Sequence, residues 1–178
     1  MLQRTRAEQV VPVYNLFVRR FPKPQDLASA GVRRIAGLIR PLGLRWRAKF
    51  LAALGRELAK RGGAVPDTPE ELLQLPGVGA YAAAAYLSLH ARRHAAIVDA
   101  NVVRLYGRLF GLPTDAETRR DRSFVALAEL MTPKRGFRQF NYALLDFSRA
   151  VCRPRPLCQQ CPLRSRCAYG QRLSRLRS

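Results

Sequence analysis

The stretch LPGVGAYAAAAYL, from Leu75 to Leu87, constrains the fold more than any other part of this chain. An apolar segment ends at Pro76 and Gly77, and an alanine-rich apolar segment follows almost at once. Proline stops a helix, and glycine adopts backbone angles that are closed to other residues. The pattern therefore predicts two helices joined by a sharp turn within residues 68–90.

Helical periodicity recurs along the rest of the chain, and no alternating pattern typical of a strand persists. Thr68-Pro69-Glu70-Glu71 has the composition of a helix start, with threonine as the N-cap and Glu71 reaching back to it. The sequence thus predicts an all-α protein. The other helices are expected at residues 5–21, 25–29, 32–39, 45–61, 80–90, 102–110, 119–131 and 137–151.

The charge of the chain indicates its partner. Lysine and arginine number 32 against 12 aspartate and glutamate residues, a formal net charge of +20. Such a surplus favours a polyanion, above all nucleic acid, because each neutralised phosphate releases condensed counterions. The alternatives are binding to a membrane surface and an arginine-rich solvated surface that binds no partner. The sequence has no apolar run long enough to span a bilayer, and MLQRTRAEQV lacks the apolar stretch of a signal peptide. We therefore expect a cytoplasmic protein associated with the nucleoid.

The turn between the two central helices is a candidate phosphate site. The first amides of a helix have no partner within the helix, and the helix dipole favours negative charge at that end. Leu75, Gly77, Val78 and Gly79 are therefore candidate DNA-binding residues whose backbone would contact phosphate without reading sequence. The alternative is a tight turn that serves only to pack two helices.

Two further features carry possible chemistry. Asp99 in IVDANVVRLYGRLF precedes a predicted helix, where aspartate is a common N-cap and where a carboxylate also stays ionised. Both roles are compatible. Four cysteines follow near the end of the chain with the spacing C-x5-C-x2-C-x5-C, and such a cluster in a cytoplasmic protein favours a metal over disulfides. They are Cys152, Cys158, Cys161 and Cys167.

These motifs occur in an order that resembles a known family. LPGVGAYAAAAYLSL, IVDANVVRLYGRLF, LLDFSRAVC and the cysteine cluster are similar to the helix-hairpin-helix DNA glycosylases of the endonuclease III and adenine glycosylase superfamily. Within it the chain is most similar to the mismatch-specific thymine DNA glycosylases. The resemblance runs from MLQRT to about Cys167. It implies a helical barrel lobe over residues 1–93 and a second lobe over residues 94–178 that ends in an iron-sulfur loop, residues 152–167.

The resemblance assigns roles to residues of the first two motifs. Asp99 would be the catalytic carboxylate that stabilises an oxocarbenium-like sugar, and Asn101 of the same motif would contact DNA. Members that also cut the DNA backbone carry a lysine where this chain has Tyr81. A tyrosine cannot form a Schiff base, so the resemblance implies a monofunctional enzyme. Without the family, Tyr81 would be interpreted as an ordinary packed aromatic residue.

The resemblance extends to both ends of the chain. Gln3 or Arg4 would fill the gap left by an extruded base, unless this end of the chain has no such role. The four cysteines would bind a [4Fe-4S] cluster, although the first interval has five residues where the family usually has six. Zinc is the alternative metal, but only Cys158 and Cys161 form a C-x2-C pair. The neighbouring arginines would form a second phosphate-contacting surface: Arg153, Arg155, Arg164 and Arg166.

Relatives carry a further helix or two before MLQRT, and we expect their absence to leave an apolar groove. The expected function is removal of thymine or uracil mispaired with guanine in double-stranded DNA during base excision repair, leaving an abasic site, with no obligate protein partner. Three alternatives stay open: an adenine-mispair glycosylase, a bifunctional endonuclease III-like pyrimidine glycosylase, and a DNA-binding module without catalysis. Loss of base release in Asp99→Asn with DNA binding retained would separate the last from the enzymes.

Overall fold

The structure is a computed structural model that describes residue 5, residues 7–43 and residues 45–175. Every regular element in this part of the chain is helical, which confirms the all-α prediction. None of its helices is long and apolar enough to cross a membrane. The α-helices are α1 (Ala7–Arg20), α2 (Pro24–Ser29), α3 (Gly31–Ile39), α4 (Arg47–Lys60), α5 (Pro69–Gln74), α6 (Ala80–Leu89), α7 (Ala100–Phe110), α8 (Arg122–Met131), α9 (Phe137–Ala150) and α10 (Ala168–Arg175).

The chain divides into two compact units, residues 1–79 and residues 80–178. The first unit contains α1 to α5 and the second contains α6 to α10. This boundary falls at the turn before α6. The two lobes expected from the family resemblance, residues 1–93 and 94–178, remain a prediction.

The core of the first unit forms where α2, α3 and α4 pack together. Small residues on α4 allow this close packing: Ala48 and Ala52 are fully buried, and Gly55 faces α2. A Cβ atom on Gly55 would lie 2.8 Å from Cγ of Leu27. Because real Cβ atoms do not approach this closely, only glycine permits α2 and α4 to lie at this distance.

The core of the second unit surrounds α7, whose buried face packs against α9 and α10. Ile97 and Val102 on either side of the α7 start are fully buried. Cys152 belongs to this core, with only 8% of its surface exposed. The cysteine loop is thus attached to the core at its first cysteine.

Helix starts agree with the capping signals in the sequence. Thr68 is the N-cap of α5, where its hydroxyl accepts a hydrogen bond from the Glu71 amide and donates one to the Glu71 carboxylate. The predicted helix at residues 119–131 begins later, at Arg122. Asp121 caps it by accepting from the Phe124 amide, and the three residues before Asp121 form a separate 3-10 turn. A strong N-cap residue thus set the boundary that periodicity alone misplaced.

Tyr106 has an unusual position in the second core. Its side chain is buried against Phe110 and Phe124, and its hydroxyl has no hydrogen-bond partner in the part of the chain that the structure describes. Burial raises the pKa of Tyr106 to about 12. The folded state therefore keeps a proton that the unfolded chain loses near pH 10, so stability falls as the pH rises from there towards 12.

We expect Tyr106→Phe to raise the free energy of unfolding by about 1 kcal/mol at neutral pH, because it removes an unpaired buried hydroxyl. Between about pH 10 and pH 12 the wild-type protein should lose roughly 2 to 3 kcal/mol more than the variant. Urea unfolding at about pH 7 and pH 11 measures both effects, and about half of the alkaline loss should be present at pH 11. Tyr142→Phe, the same change on an exposed ring, is the control and should change neither value.

Candidate functional site

Asp99 is the N-cap of α7, and its carboxylate is held by three donors. Oδ1 accepts from the amides of Asn101 and Val102, each at 2.8 Å, and Oδ2 accepts from Nδ2 of Asn101 at 2.7 Å. The positive end of the helix dipole also stabilises a negative charge here. A carboxylate has about four acceptor positions, so the half-buried Asp99 retains one for another group. The cap and the catalytic role are compatible in this geometry.

Asn101 links Asp99 to the end of α9. Its Oδ1 accepts from a terminal nitrogen of Arg104 at 3.1 Å. The same nitrogen donates to the Ser148 carbonyl at 2.9 Å, and Nε of Arg104 donates to the Cys152 carbonyl at 2.9 Å. A chain of hydrogen bonds therefore runs from the Asp99 carboxylate to the first cysteine. Asn101 was predicted to contact DNA, and its side chain already forms hydrogen bonds with both Asp99 and Arg104.

Tyr81 lies in the first turn of α6, with 44% of its surface exposed. Partial burial raises the pKa of Tyr81 above its ordinary value, and the negative charge of Asp99 raises it further. Asp99 therefore acts electrostatically on Tyr81, and both residues belong to the second unit. Tyr81 is consequently a neutral phenol at physiological pH and acts as a hydrogen-bond donor or acceptor.

The predicted turn after α5 is present, but its two glycines differ. Gly77 has φ +77°, and a Cβ atom there would lie 2.8 Å from Cβ of Phe50. Gly79 has no positive φ, and a Cβ atom there would meet no heavy atom within 4 Å. Only Gly77 therefore uses a backbone conformation that other residues rarely adopt, and Gly79 does not. Leu75 is 4% exposed, and its carbonyl accepts from the Val78 amide, so its side chain is buried.

The two glycines allow a matched test. Gly77→Ala should lower the free energy of unfolding by about 2 kcal/mol or more, because alanine meets both a strained φ and Phe50. It should also weaken DNA binding by displacing the turn. Gly79→Ala should change stability by less than about 1 kcal/mol. Chemical denaturation and titration of a labelled duplex measure these effects, and equal destabilisation by both changes would contradict the assignment.

All four cysteines are free thiols and line one small apolar pocket. Apolar side chains complete its wall, including Leu105, Phe147 and Leu157. Burial raises the pKa of the Cys158 thiol, and the negative charges of Cys161, Cys167 and Cys152 raise it further. Thiolates gathered here thus repel one another unless a cation lies among them. Within the described residues, no three His, Cys, Asp or Glu side chains form a group that could hold a metal ion.

Arg108 fastens the cysteine loop to α7. Its terminal nitrogens donate to the Arg153 and Pro154 carbonyls at 2.8 and 2.9 Å, and one of them lies 3.7 Å from Sγ of Cys152. The Cys167 thiol donates to the Arg108 carbonyl at 3.3 Å. Both ends of the loop therefore meet at this one residue, which the sequence motifs did not single out.

The predicted basic surface of the loop is partly engaged within the chain. Arg153, Arg155 and Arg166 are exposed, whereas Arg164 is half-buried and donates to Gln159 and Ser174.

Gln3 and Arg4, the candidates for the gap left by an extruded base, lie outside the described residues. Arg104 and Arg108 were not identified from the sequence as residues that connect the site to the cysteine loop. The signal for Arg104 was its position three residues after Asn101, one helical turn away.

Comparison with known proteins gives a consistent result. Residues 1–128 match the family described as HhH-GPD superfamily base excision DNA repair protein. A thymine-DNA glycosylase of Aeropyrum pernix is 38% identical, over 95% of this chain and 78% of that protein. A thymine/uracil-DNA glycosylase of Pyrobaculum aerophilum is 36% identical, over 99% of this chain and 80% of that protein.

A solved structure of a thermostable thymine-DNA glycosylase superposes with a TM-score of 0.90 and 35% identity, over 96% of this chain and 80% of that chain. The helical fold and the N-cap position of Asp99 agree with the sequence prediction, and the roles of the site residues stay predictions. The chain belongs to the HhH-GPD superfamily of base excision DNA repair proteins.

Proposed function

We propose that this protein is a monofunctional DNA glycosylase that removes thymine or uracil mispaired with guanine and leaves an abasic site. The observation that carries the proposal is the Asp99 carboxylate, which three N–H donors hold at the α7 start. Burial raises the pKa of the Tyr81 phenol, and the charge of Asp99 raises it further. The similar proteins named thymine-DNA and thymine/uracil-DNA glycosylase support the choice of base.

The reaction needs one anionic group at the sugar. The extruded nucleotide loses its base when the bond between C1′ and N1 breaks and the electron pair leaves with N1. Positive charge then develops on C1′ and the ring oxygen, and the Asp99 carboxylate stabilises it. Water adds its hydroxyl to C1′, and its remaining proton balances the charge of the departing base. Because its donors fix Asp99 before the substrate binds, little reorganisation is required during the reaction.

Tyr81 limits the reaction to base removal. Strand cleavage through a Schiff base requires an amine that attacks C1′, and a phenol cannot form this adduct. The raised pKa of Tyr81 keeps the phenol neutral, so it is also a poor nucleophile. A neutral hydroxyl beside Asp99 is suited to hydrogen bonding with the nucleotide or with the attacking water.

The four cysteines are proposed to bind a [4Fe-4S] cluster. The chemistry of the donor set supports this proposal, because four thiolates complete the outer ligation of the cluster and all four cysteines line one pocket with an apolar wall. In the described residues their side chains are not yet gathered as a metal-binding group. The Arg108 guanidinium near Cys152 would offset part of the negative charge. When bound, the cluster supplies four iron–sulfur bonds that join the ends of a loop with little core of its own.

Double-stranded DNA is the proposed partner, and the nucleoid in the cytoplasm is the proposed location. The net charge of +20 supports a polyanionic partner. The first amides of α6 follow Gly79 directly and are suited to a phosphate. Exposed arginines in the cysteine loop offer a second contact with the backbone.

Incubation with labelled duplexes that carry T·G, U·G, A·G or A·8-oxoguanine tests the proposal. We expect cleavage of the T·G and U·G strands only after alkali treatment. Release from the A·G duplex alone would indicate the adenine glycosylase. Cleavage before alkali, with a covalent adduct trapped by borohydride, would indicate the bifunctional enzyme. Binding without release from any duplex would indicate a DNA-binding module.

A further inference from the structure

The segment that leads to Asp99 is buried but has no regular structure. Ala96, Ile97 and Val98 are each at most 8% exposed, between the end of α6 and the start of α7. Buried backbone amides and carbonyls must find hydrogen-bond partners. No strand occurs in the described part of the chain, and side chains supply some of these partners here.

Asn141 supplies them from α9. Its side chain is fully buried, and its Nδ2 donates to the Ala95 carbonyl at 2.9 Å and to the Ser88 hydroxyl at 2.7 Å. Its Oδ1 accepts from the Ile97 amide at 3.5 Å. One amide group thus joins three elements: the segment before Asp99, α9, and α6 through Ser88.

These contacts connect the two halves of the proposed catalytic pair. Ile97 lies two residues before Asp99, and Ser88 lies on the helix whose first turn carries Tyr81. A shift of the segment against α6 would therefore change the separation of Asp99 from Tyr81. In a reaction that depends on placement, a displacement of about 1 Å costs on the order of a hundredfold in rate.

We propose that Asn141 is a positioning residue for base release, which fixes the Asp99 segment against α6 through Ala95, Ile97 and Ser88. The proposal rests on the proposed function. Asn141 does not touch the reacting atoms. It acts through the backbone that carries Asp99, and a purely apolar residue at this position would pack but would leave two backbone groups without partners.

The test separates positioning from general stability. Asn141→Ala should lower the single-turnover rate of base release from a T·G duplex at least about tenfold. The Kd for the same duplex, measured with a non-hydrolysable thymidine analogue, should change less than about twofold. Ser88→Ala removes one of the three contacts and should lower the rate about threefold. If Asn141→Ala fails to fold, the rate of Ser88→Ala tests the proposal in its place.

Thr132→Val is the matched control. Thr132 is another buried polar residue of the second unit, and its hydroxyl donates to the carbonyl of Ala128 in the preceding helical turn at 2.8 Å. The rate of base release by Thr132→Val should stay at the wild-type value even if the melting temperature of this variant falls. Unchanged rates in both Asn141→Ala and Ser88→Ala would overturn the proposal. A lower rate of base release by Asn141→Ala together with an equally large rise in its Kd for the duplex would also overturn the proposal. A wild-type protein that releases no base would overturn the proposed function and this proposal together.

Discussion

Asp99→Asn is expected to lower the rate of base release from a T·G duplex at least about a hundredfold, because the developing charge on the sugar loses its anionic partner. The fold should survive, since asparagine is as good an N-cap as aspartate and its oxygen can still accept from the Asn101 and Val102 amides. Single-turnover release followed by alkali cleavage measures the rate, and titration of the duplex measures binding. The Kd should stay within about threefold of wild type, because Asp99 contributes no phosphate contact.

Asp121→Asn provides the control for this prediction. Asp121 caps α8 in the same unit by accepting from the Phe124 amide, so the substitution makes the same chemical change at the start of another helix. Its rate should equal that of the wild-type protein. Base release by Asp99→Asn at the wild-type rate would show that Asp99 is only a helix cap, and the proposed mechanism would then fail.

Cys161→Ala is expected to have the second large effect, on iron content and stability. Loss of one thiolate should remove more than about half of the bound iron from anaerobically purified protein and lower the melting temperature by about 5 to 10 °C. The physical reason is that the loop from Cys152 to Cys167 contains only short 3-10 turns, so the bound group replaces a hydrophobic core. Elemental analysis and thermal denaturation measure the two effects.

Ser165→Ala is the control for the cysteine change. Ser165 lies in the same loop, and its carbonyl, which the substitution keeps, accepts from the Gln171 side chain. Iron content and melting temperature should therefore stay at wild-type values. Zinc in place of iron in the wild-type protein would favour the alternative metal, and a wild-type protein that binds neither would contradict the cofactor proposal.

Much of the fold follows from local patterns in the sequence. The helices were predicted because their apolar spacing, proline breaks and capping residues are local signals, and Thr68 and Asp99 cap the helices that they were expected to cap. Errors occurred where a local pattern allowed two outcomes. The start of α8 was misplaced because periodicity alone does not fix a helix boundary, and the N-cap Asp121 sets the start at Arg122.

The candidate site was predicted in its types of residue but only partly in its connections. Tyr81, Asp99 and the cysteines were identified from motifs. In the structure all four cysteines line one pocket, and the charge of Asp99 acts on Tyr81. Leu75 was predicted to contact DNA through its backbone, which stays a prediction, and the structure adds that its side chain is buried. An apolar residue beside a turn gives no local sign of which way its side chain faces.

The sequence by itself determined the helices, their caps, the sharp turn at Gly77 and the set of thiols, because each depends on residues a few positions apart. Only the tertiary structure decided that Arg104 joins Asn101 to Cys152 and that Asn141 joins Ser88 to the segment before Asp99. Arg104 and Cys152 lie 48 residues apart in the chain, and Asn141 and Ser88 lie 53 residues apart. Packing within the second unit brings these partners together, and no local spacing encodes which buried polar groups will meet there.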